Sequence, residues 1–437
     1  MPTIKIHKSS ATNMPIEDNS VHSIITSPPY WAKRVYDGEQ KQIWGGDSFC
    51  DHNWVDGRRA GMSGGTKSRV LNSRKLGTDG TLNFQIFGES KFSTCSKCNA
   101  WHGALGLEPN IKTYVRNIAI DIGNELKRVL HPSGIFWLNL GDGFAANRSY
   151  QVNDSKWSGV NSNTFSQYVS DGLKPKDLIG IPWRVAFALQ EQGWWLRVAI
   201  PWLKNNAMPH PVMDRPVISH EYWFMFTKSE KYFYDTYSVL QKSAYPEVKP
   251  GILFGGKKYL GTTINPTYSG NEYDPNKHEG RRWRTGDVFL QSFDQYLLYL
   301  NHIKDNNEGM LFDVDGNPLA MIYNPAQYKG THYATFNPKM IEPLVLCSTS
   351  QYGVCSMCGN PYTRDKYPKH QEWLSTCKHN SESVPATVLD PFCGTGSTLF
   401  TAHKLGRDTI GCDVSDKYIG FTRDRLGINK MAQWESD

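Results

Sequence analysis

"VLDPFCGTGST", residues Val388 to Thr398, reads as an apolar strand, a tight turn and the start of a helix. Gly394 and Gly396 let the backbone come close to a ligand, and the helix that follows offers free amide groups at its first turn. The next apolar run, Thr409-Ile410-Gly411-Cys412, ends at Asp413. An acid at the end of that second strand can accept both hydroxyls of a ribose, as in nucleotide-binding α/β folds. The turn lacks the G-K-[ST] of a phosphate loop, which argues against ATP, and no third glycine completes a dinucleotide fingerprint. An adenosine ligand without a pyrophosphate fits better, and that points to S-adenosylmethionine.

Outward from this turn, helical and apolar strand patterns alternate. Val115, Ile118, Ile122, Leu126 and Val129 fall on one helical face, His131-Pro132-Ser133-Gly134 stops that helix, and Ile135–Leu140 follows as a buried strand. A second helix and strand are expected at Ile181–Gln192 and Trp194–Leu203, and two further strands at Glu221–Lys228 and Tyr232–Tyr234. This alternation predicts an α/β fold. Residues 238–325 break the rhythm with polar, aromatic and turn-forming residues, and read as a loop-rich insert. From Gly57 to Gly80 the chain is rich in Gly, Ser, Lys and Arg, which predicts a solvated surface loop.

The chain has 437 residues, enough for one large domain with insertions or for two domains. A net charge of +6 is compatible with a polyanionic partner without requiring one. No apolar run reaches the length of a membrane span, and the N-terminus lacks the apolar core of a signal peptide, so a cytoplasmic protein is expected. In a reducing compartment, nine cysteines argue for thiols or metal ligands over disulfides.

"ITSPPYW", Ile25 to Trp31, ends an apolar strand in a rigid loop tipped with aromatic rings. Such a loop is either a stiff turn or a device that presents fixed acceptors and a flat ring to a planar ligand. The cysteines show a second pattern. Cys50-Asp51-His52 is followed by Cys95-Ser96-Lys97-Cys98, and Cys355-Ser356-Met357-Cys358 by Cys377-Lys378-His379. Each set offers three Cys and one His, the ligand composition of a closed tetrahedral zinc site, with His102 an alternative to His52 in the first. Cys347 and Cys412 read as core residues, Cys393 as a small residue of the glycine turn, and Asp142 and Glu221 as structural acids.

Taken together, these motifs resemble the DNA amino-methyltransferases, which act on N4 of cytosine or N6 of adenine. Ser27-Pro28-Pro29-Tyr30 is similar to that family's catalytic loop, and Phe392-Cys393-Gly394-Thr395-Gly396 to its cofactor turn. The order, catalytic loop first, is similar to the permuted β group. The resemblance also runs through Leu138–Asp142, Leu178–Arg184, Asp214–Pro216 with Ser219–Tyr222, and His332–Phe336. It implies a doubly wound, mostly parallel sheet of the seven-stranded, Rossmann-like kind. It implies that Ser27 and the Pro28 carbonyl hold the amine, that Pro29 stiffens the loop and that a flipped base stacks on Tyr30. S-adenosylmethionine would lie against Asp390, Pro391, Phe392, Gly394, Gly396, Thr398 and Asp413, with His332, Tyr333 and Thr335 at its methionine end.

The expected organisation is a catalytic half at 1–44 and 104–237, a zinc-binding insert at 45–103, a target-recognition region at 238–325, and a cofactor half at 326–437 with a second zinc-binding insert at 347–380. The expected partner is double-stranded DNA, contacted in the recognition region by Arg281, Arg282 and Arg284, with a cognate restriction endonuclease as a further partner. Ser in the first loop position favours cytosine-N4 over adenine-N6. The rival from another class is a zinc-stabilised DNA-binding protein without catalysis. A protein-glutamine methyltransferase carries a similar Asn-Pro-Pro-Tyr loop, but the permuted order and the large insert weigh against it.

Overall fold

The computed structural model describes residues 2–31, 40–59, 90–145, 172–174, 176–204, 215, 218–239, 309–312, 318–323, 336–364 and 372–428. Among these, nine strands form a central sheet: β1 (Ile4–Lys8), β2 (Val21–Thr26), β3 (Leu130–Leu140), β4 (Trp195–Leu203), β5 (His220–Thr227), β6 (Gly309–Phe312), β7 (Pro318–Ile322), β8 (Thr387–Asp390) and β9 (Asp408–Asp413). Across the sheet the order is β1-β9-β8-β2-β3-β5-β4-β7-β6. The five strands from β1 to β3 run parallel; β5 is antiparallel to both of its neighbours, and β6 is antiparallel to β7.

Alternation along the central strands sends successive side chains to opposite faces. Ile24, Phe136 and Leu138 face one apolar core, and Ile25, Ile135 and Trp137 the other. Among the described residues, five helices longer than one turn accompany the strands. Helix α1 comprises α-helical Ile111–Arg116, a π-helical stretch Asn117–Ile122 and α-helical Gly123–Val129. It shares the first core with α2 (Ile181–Glu191). Helix α3 (Pro338–Ser348) and Ala402 of α4 (Ser397–Lys404) pack in the second core. Helix α5 (Asp416–Leu426) packs on α4 and on the β1–β9 edge. The mostly parallel sheet with helices on both faces agrees with the expected architecture.

Three local expectations differ from the structure. The His131–Gly134 segment does not separate helix from strand: β3 starts at Leu130 and takes the segment in as an irregularity, its pairing with β2 stepping from Leu130 to Ile135. Tyr232–Tyr234 is not a strand. The rings of Tyr232 and Tyr234 pack against the second core, while the Phe233 N–H bonds the Ser133 carbonyl rather than a ladder partner. Gly309–Phe312 and Pro318–Ile322, inside the stretch expected to be loop-rich, extend the central sheet beyond β4 and so raise the expected seven strands to nine. Residues 60–89, 146–171 and 240–308 lie outside the described residues.

At the start of α2, Gly180 occupies the cap position with φ +73° and supplies no capping side chain. Asp142, just beyond β3, does this in its place: its Oδ1 accepts from the backbone N–H groups of Gly143 (2.8 Å), Gly180 (3.0 Å) and Ile181 (3.0 Å). A carboxylate there also meets the positive end of the helix dipole. Asp142→Ala is expected to lower the free energy of unfolding by about 2 kcal/mol, the loss of a cap plus stranded amides. Asp142→Asn, which keeps an acceptor, should cost less than about 1 kcal/mol. Urea denaturation of the three proteins measures both.

Candidate active site

The loop after β2 and the turn after β8 lie side by side, because β2 and β8 are parallel neighbours and end at the same edge of the sheet. At that junction the Thr26 hydroxyl donates to Asp390 Oδ1 at 2.6 Å, in a fully buried contact. The Phe392 N–H bonds the same oxygen at 3.1 Å. Burial pushes the Asp390 carboxyl up to about 6, against the pull of these donors. Thr398, in the first turn of α4, reaches back to the Ile25 carbonyl at 3.4 Å. Two contacts, Thr26 to Asp390 and Thr398 to Ile25, thus tie the two loops together.

The glycine turn has the geometry expected of it. Gly394 and Gly396 have φ of +52° and +72°. A Cβ on Gly396 would lie 2.9 Å from Thr422 Cγ2 of α5, so a side chain there meets both strain and a clash. Asp413 ends β9 beside the turn: its Oδ2 accepts from the Gly394 N–H (3.1 Å) and its Oδ1 from the Ser415 N–H (2.9 Å). Burial pushes this carboxyl up to about 6 as well. Each oxygen of an ionised carboxylate has a second acceptor direction, so the group can still take two hydroxyl donors. The arrangement fits an adenosine-type ligand.

The Ser27–Tyr30 loop is braced from below. The Tyr114 hydroxyl of α1 donates to the Pro29 carbonyl at 3.0 Å, and Trp31, only 2% exposed, donates its indole N–H to the Glu108 carbonyl at 3.1 Å. Glu108 is itself buried, accepting from the Gly106 N–H and from Asn117 in the π-helical stretch. A Cβ on Gly106 would lie 2.9 Å from the Tyr30 carbonyl, so this seat closes tightly on the loop. Among the described residues no donor reaches the Pro28 carbonyl, which leaves it available to a ligand.

Tyr30 lies on a polar network that the sequence did not reveal. Its hydroxyl is 2.7 Å from Asn139 Oδ1 of β3 and 2.8 Å from Glu221 Oε2 of β5, and the Ser27 hydroxyl donates to it at 3.2 Å. Lys204, just past β4, is ion-paired with the other oxygen of Glu221. Glu221, expected to be purely structural, therefore stands one residue away from Ser27. Asn139 carried a legible signal, a polar residue inside an otherwise apolar strand; Lys204 carried none.

The two cysteine sets converge as the spacing predicts. The ligand atoms of Cys50, His52, Cys95 and Cys98 lie within 4.8 Å of one another, and so do those of Cys355, Cys358, Cys377 and His379. Cys50 and Cys95 Sγ are 3.8 Å apart, Cys98 Sγ is 3.3 Å from His52 Nδ1, and Cys355 Sγ is 3.7 Å from His379 Nδ1. Tetrahedral zinc with Zn–S of about 2.3 Å requires S···S of about 3.8 Å and S···N of about 3.5 Å. Both donor sets can hold such an ion. His52 is the histidine of the first set; the rings of both His52 and His102 lie tilted beside Trp54, at 4.6 and 5.6 Å between centres. Both knuckles turn through a left-handed residue after the second cysteine, Asn99 with φ +60° and Gly359 with φ +70°. Cys347 and Cys412 are buried in the core, as expected, and Cys393 is buried in the glycine turn. His332, Tyr333 and Thr335, and Arg281, Arg282 and Arg284, lie outside the described residues.

Comparison with known proteins shows the family. The family model described as DNA methylase, for N6 and N4 methyltransferases, matches residues 21–423, and the chain belongs to that family. A type II methyltransferase of Xanthomonas campestris pv. cyanopsidis, M.XycI, is 30% identical over 323 residues, covering 74% of each chain. M.Cfr9I of Citrobacter freundii matches to the same extent, and M.SmaI of Serratia marcescens is 27% identical over 74% of this chain and 77% of its own. Among solved structures, the cytosine-N4-specific PvuII DNA methyltransferase overlays on 97% of this chain and 88% of its own, with a TM-score of 0.44 and 11% identity.

Gly141, after β3, faces this network closely. A Cβ there would lie 2.9 Å from Tyr30 Cε2 and 3.0 Å from Glu221 Oε1. Its backbone conformation suits any residue, so Gly141→Ala should fold with a thermal midpoint near that of the parent. Tyr30 would be displaced, and methyl transfer to DNA is expected to fall at least about tenfold, the scale set by misplacing a reacting group by a fraction of an ångström. Methylation rates and thermal melts of the variant check this.

Proposed function

We propose that the protein transfers the methyl group of S-adenosylmethionine to the exocyclic N4 of cytosine in double-stranded DNA, as the modification enzyme that accompanies a restriction endonuclease. The observation that carries this reading is the Thr26–Asp390 contact, which holds the Ser27–Tyr30 loop against the glycine turn and Asp413. The cofactor would supply an already activated methyl group, with Asp413 accepting the ribose hydroxyls, Gly394 and Gly396 admitting the nucleoside, and Pro391, Phe392 and Thr398 completing the wall. His332, Tyr333 and Thr335 are proposed for its methionine end.

The amine of cytosine is a weak nucleophile because its lone pair is delocalised into the ring. Acceptors that hold both of its hydrogens favour the pyramidal, reactive nitrogen. We assign these roles to Ser27 Oγ and to the Pro28 carbonyl, and base stacking to Tyr30. Prolines at 28 and 29 keep the acceptors preorganised, so little of the rate is lost to reorienting them. No covalent nucleophile is needed. Serine rather than aspartate at position 27 favours cytosine over adenine. Arg281, Arg282 and Arg284 are proposed to contact DNA within the recognition region at 238–325, the hairpin of β6 and β7 at its end belonging to the sheet.

Incubation of the protein with unmodified DNA and labelled S-adenosylmethionine, followed by mass spectrometry of the nucleosides, is expected to yield N4-methylcytosine; N6-methyladenine would overturn the base assignment. Ser27→Ala and Tyr30→Ala should each lose at least about 100-fold in methyl transfer, the range typical of removing a transition-state contact, with cofactor affinity kept.

Both cysteine sets are proposed to hold structural zinc, since four protein ligands leave no position for water. Metal analysis of protein never exposed to chelator should give two zinc ions per chain. Cys355→Ser should remove one, and well under one ion per chain in the parent would reject both sites.

A further inference from the structure

We infer that Glu221, held by Lys204, is a positioning residue that fixes the direction of a hydrogen-bond chain and so keeps Ser27 an acceptor toward the reacting amine. The inference rests on the role proposed for Ser27. A serine hydroxyl is both donor and acceptor. If its hydrogen pointed at the incoming amine, it would repel the amine hydrogens it is meant to hold. Something must draw that hydrogen away.

The geometry points to Tyr30 and the groups behind it. The Tyr30 hydroxyl faces two acceptors, Asn139 Oδ1 at 2.7 Å and Glu221 Oε2 at 2.8 Å. Asn139 is oriented by its own amide, which donates to the Tyr222 carbonyl at 3.1 Å, so its oxygen is the atom turned to Tyr30. An ionised carboxylate can only accept. The phenolic hydrogen therefore goes to one or both of these oxygens. That leaves the Tyr30 oxygen as the acceptor for Ser27 at 3.2 Å, and the lone pairs of Ser27 turned outward. The chain runs one way: Ser27 to Tyr30 to Glu221.

Lys204 keeps it so. Its ammonium is ion-paired with Glu221 Oε1, and the two side chains are 21% and 13% exposed, so the pair is largely shielded from water. The same ammonium sits 4.4 Å from the centre of the Trp202 ring. Held in this way, the carboxylate keeps its Oε2 turned to Tyr30. The strand pairing explains how it arrives there. β5 runs against its neighbours, so its first residues lie beside the ends of β3 and β4; Glu221 pairs with Trp202 and Tyr222 with Leu140.

Glu221→Gln is the test, because the amide keeps the shape but can turn its NH2 toward Tyr30. Asn139 would then keep the phenolic hydrogen while Gln competes with Ser27 for the Tyr30 oxygen, and the Ser27 hydrogen is released toward the amine. Single-turnover methylation of unmodified DNA is expected to slow at least tenfold, with equilibrium affinities for DNA and S-adenosylmethionine unchanged. Tyr30→Phe leaves the Lys204–Glu221 pair intact and should produce a similar loss. The double variant should be no slower than Tyr30→Phe alone, since both changes cut one chain. A wild-type rate in either single variant, or losses that multiply in the double variant, overturns the inference while the methyltransferase reading stands. A parent protein that yields no methylated nucleoside overturns both.

Discussion

One buried hydrogen bond holds the active edge together. Thr26 and Asp390 are the last residues of adjacent parallel strands, 364 positions apart in sequence, and they meet at 2.6 Å with no water between them. The pairing of Val388 with Ser23 and Leu389 with Ile24 fixes the register that makes them meet. A shift of one residue would turn Asp390 toward the opposite face and separate the two loops. A buried carboxylate costs several kcal/mol unless donors surround it. The Thr26 hydroxyl and the Phe392 N–H supply them, so the junction forms only when both loops have their final shape. Register, loop conformation and charge burial are thus one constraint.

That constraint also gives the sheet a polarity. Loops that carry chemistry leave the ends of β2, β3, β8 and β9, as expected of open parallel sheets, whose crevice lies outside the carboxyl ends of the strands. The opposite edge is structural, and there the second cysteine set is docked. His22, at the start of β2, stacks on His131 with ring centres 5.4 Å apart. His22 Nδ1 accepts from the Thr387 N–H, which leaves its Nε2 hydrogen for the Gly359 carbonyl at 2.9 Å; His131 Nε2 reaches the Cys358 carbonyl at 3.3 Å. Burial, and then the neighbouring His131, push the His22 imidazole down to about 4, so it stays neutral in this role. The first cysteine set, by contrast, leads through Trp101–Ala104 into Gly106 and Glu108, the seat of the Ser27–Tyr30 loop. The two sets brace opposite edges of one sheet.

Much of this was legible where the signal is local. The glycine turn, the proline loop and the cysteine spacing each place their functional atoms within a few residues, and the structure brings each group together. The network around Tyr30 was not legible, because it is assembled from three strands, β3, β5 and the end of β4, whose order depends on an antiparallel crossing. Glu221 at the head of an aromatic strand looks like any solvated acid until the register puts Trp202 beside it. The hairpin of β6 and β7 was masked by its composition. Asp315-Gly316-Asn317-Pro318 is a strong turn signal, and it hid the short strands that it separates. Tyr232–Tyr234 failed the other way: aromatic residues suit a strand, but here the Phe233 N–H goes to the Ser133 carbonyl, and the rings of Tyr232 and Tyr234 pack on the second core.

The two acids of the cofactor region differ in a way that their spacing does not disclose. Both carboxyls are raised to about 6 by burial. Asp390 is 3% exposed, with its Oδ1 fixed by Thr26 and Phe392; its role follows from holding the loops, and a ligand would find little of it to touch. Asp413 is only half-buried, and its two oxygens each take one backbone N–H from the turn and from Ser415. A carboxylate in this state is poorly solvated yet incompletely bonded, so added hydroxyl donors gain more from it than they would from a carboxylate in water. In the proposed reading, one acid builds the cradle and the other receives the ligand. A turn carrying only the first would have the right shape and no reason to prefer a ribose.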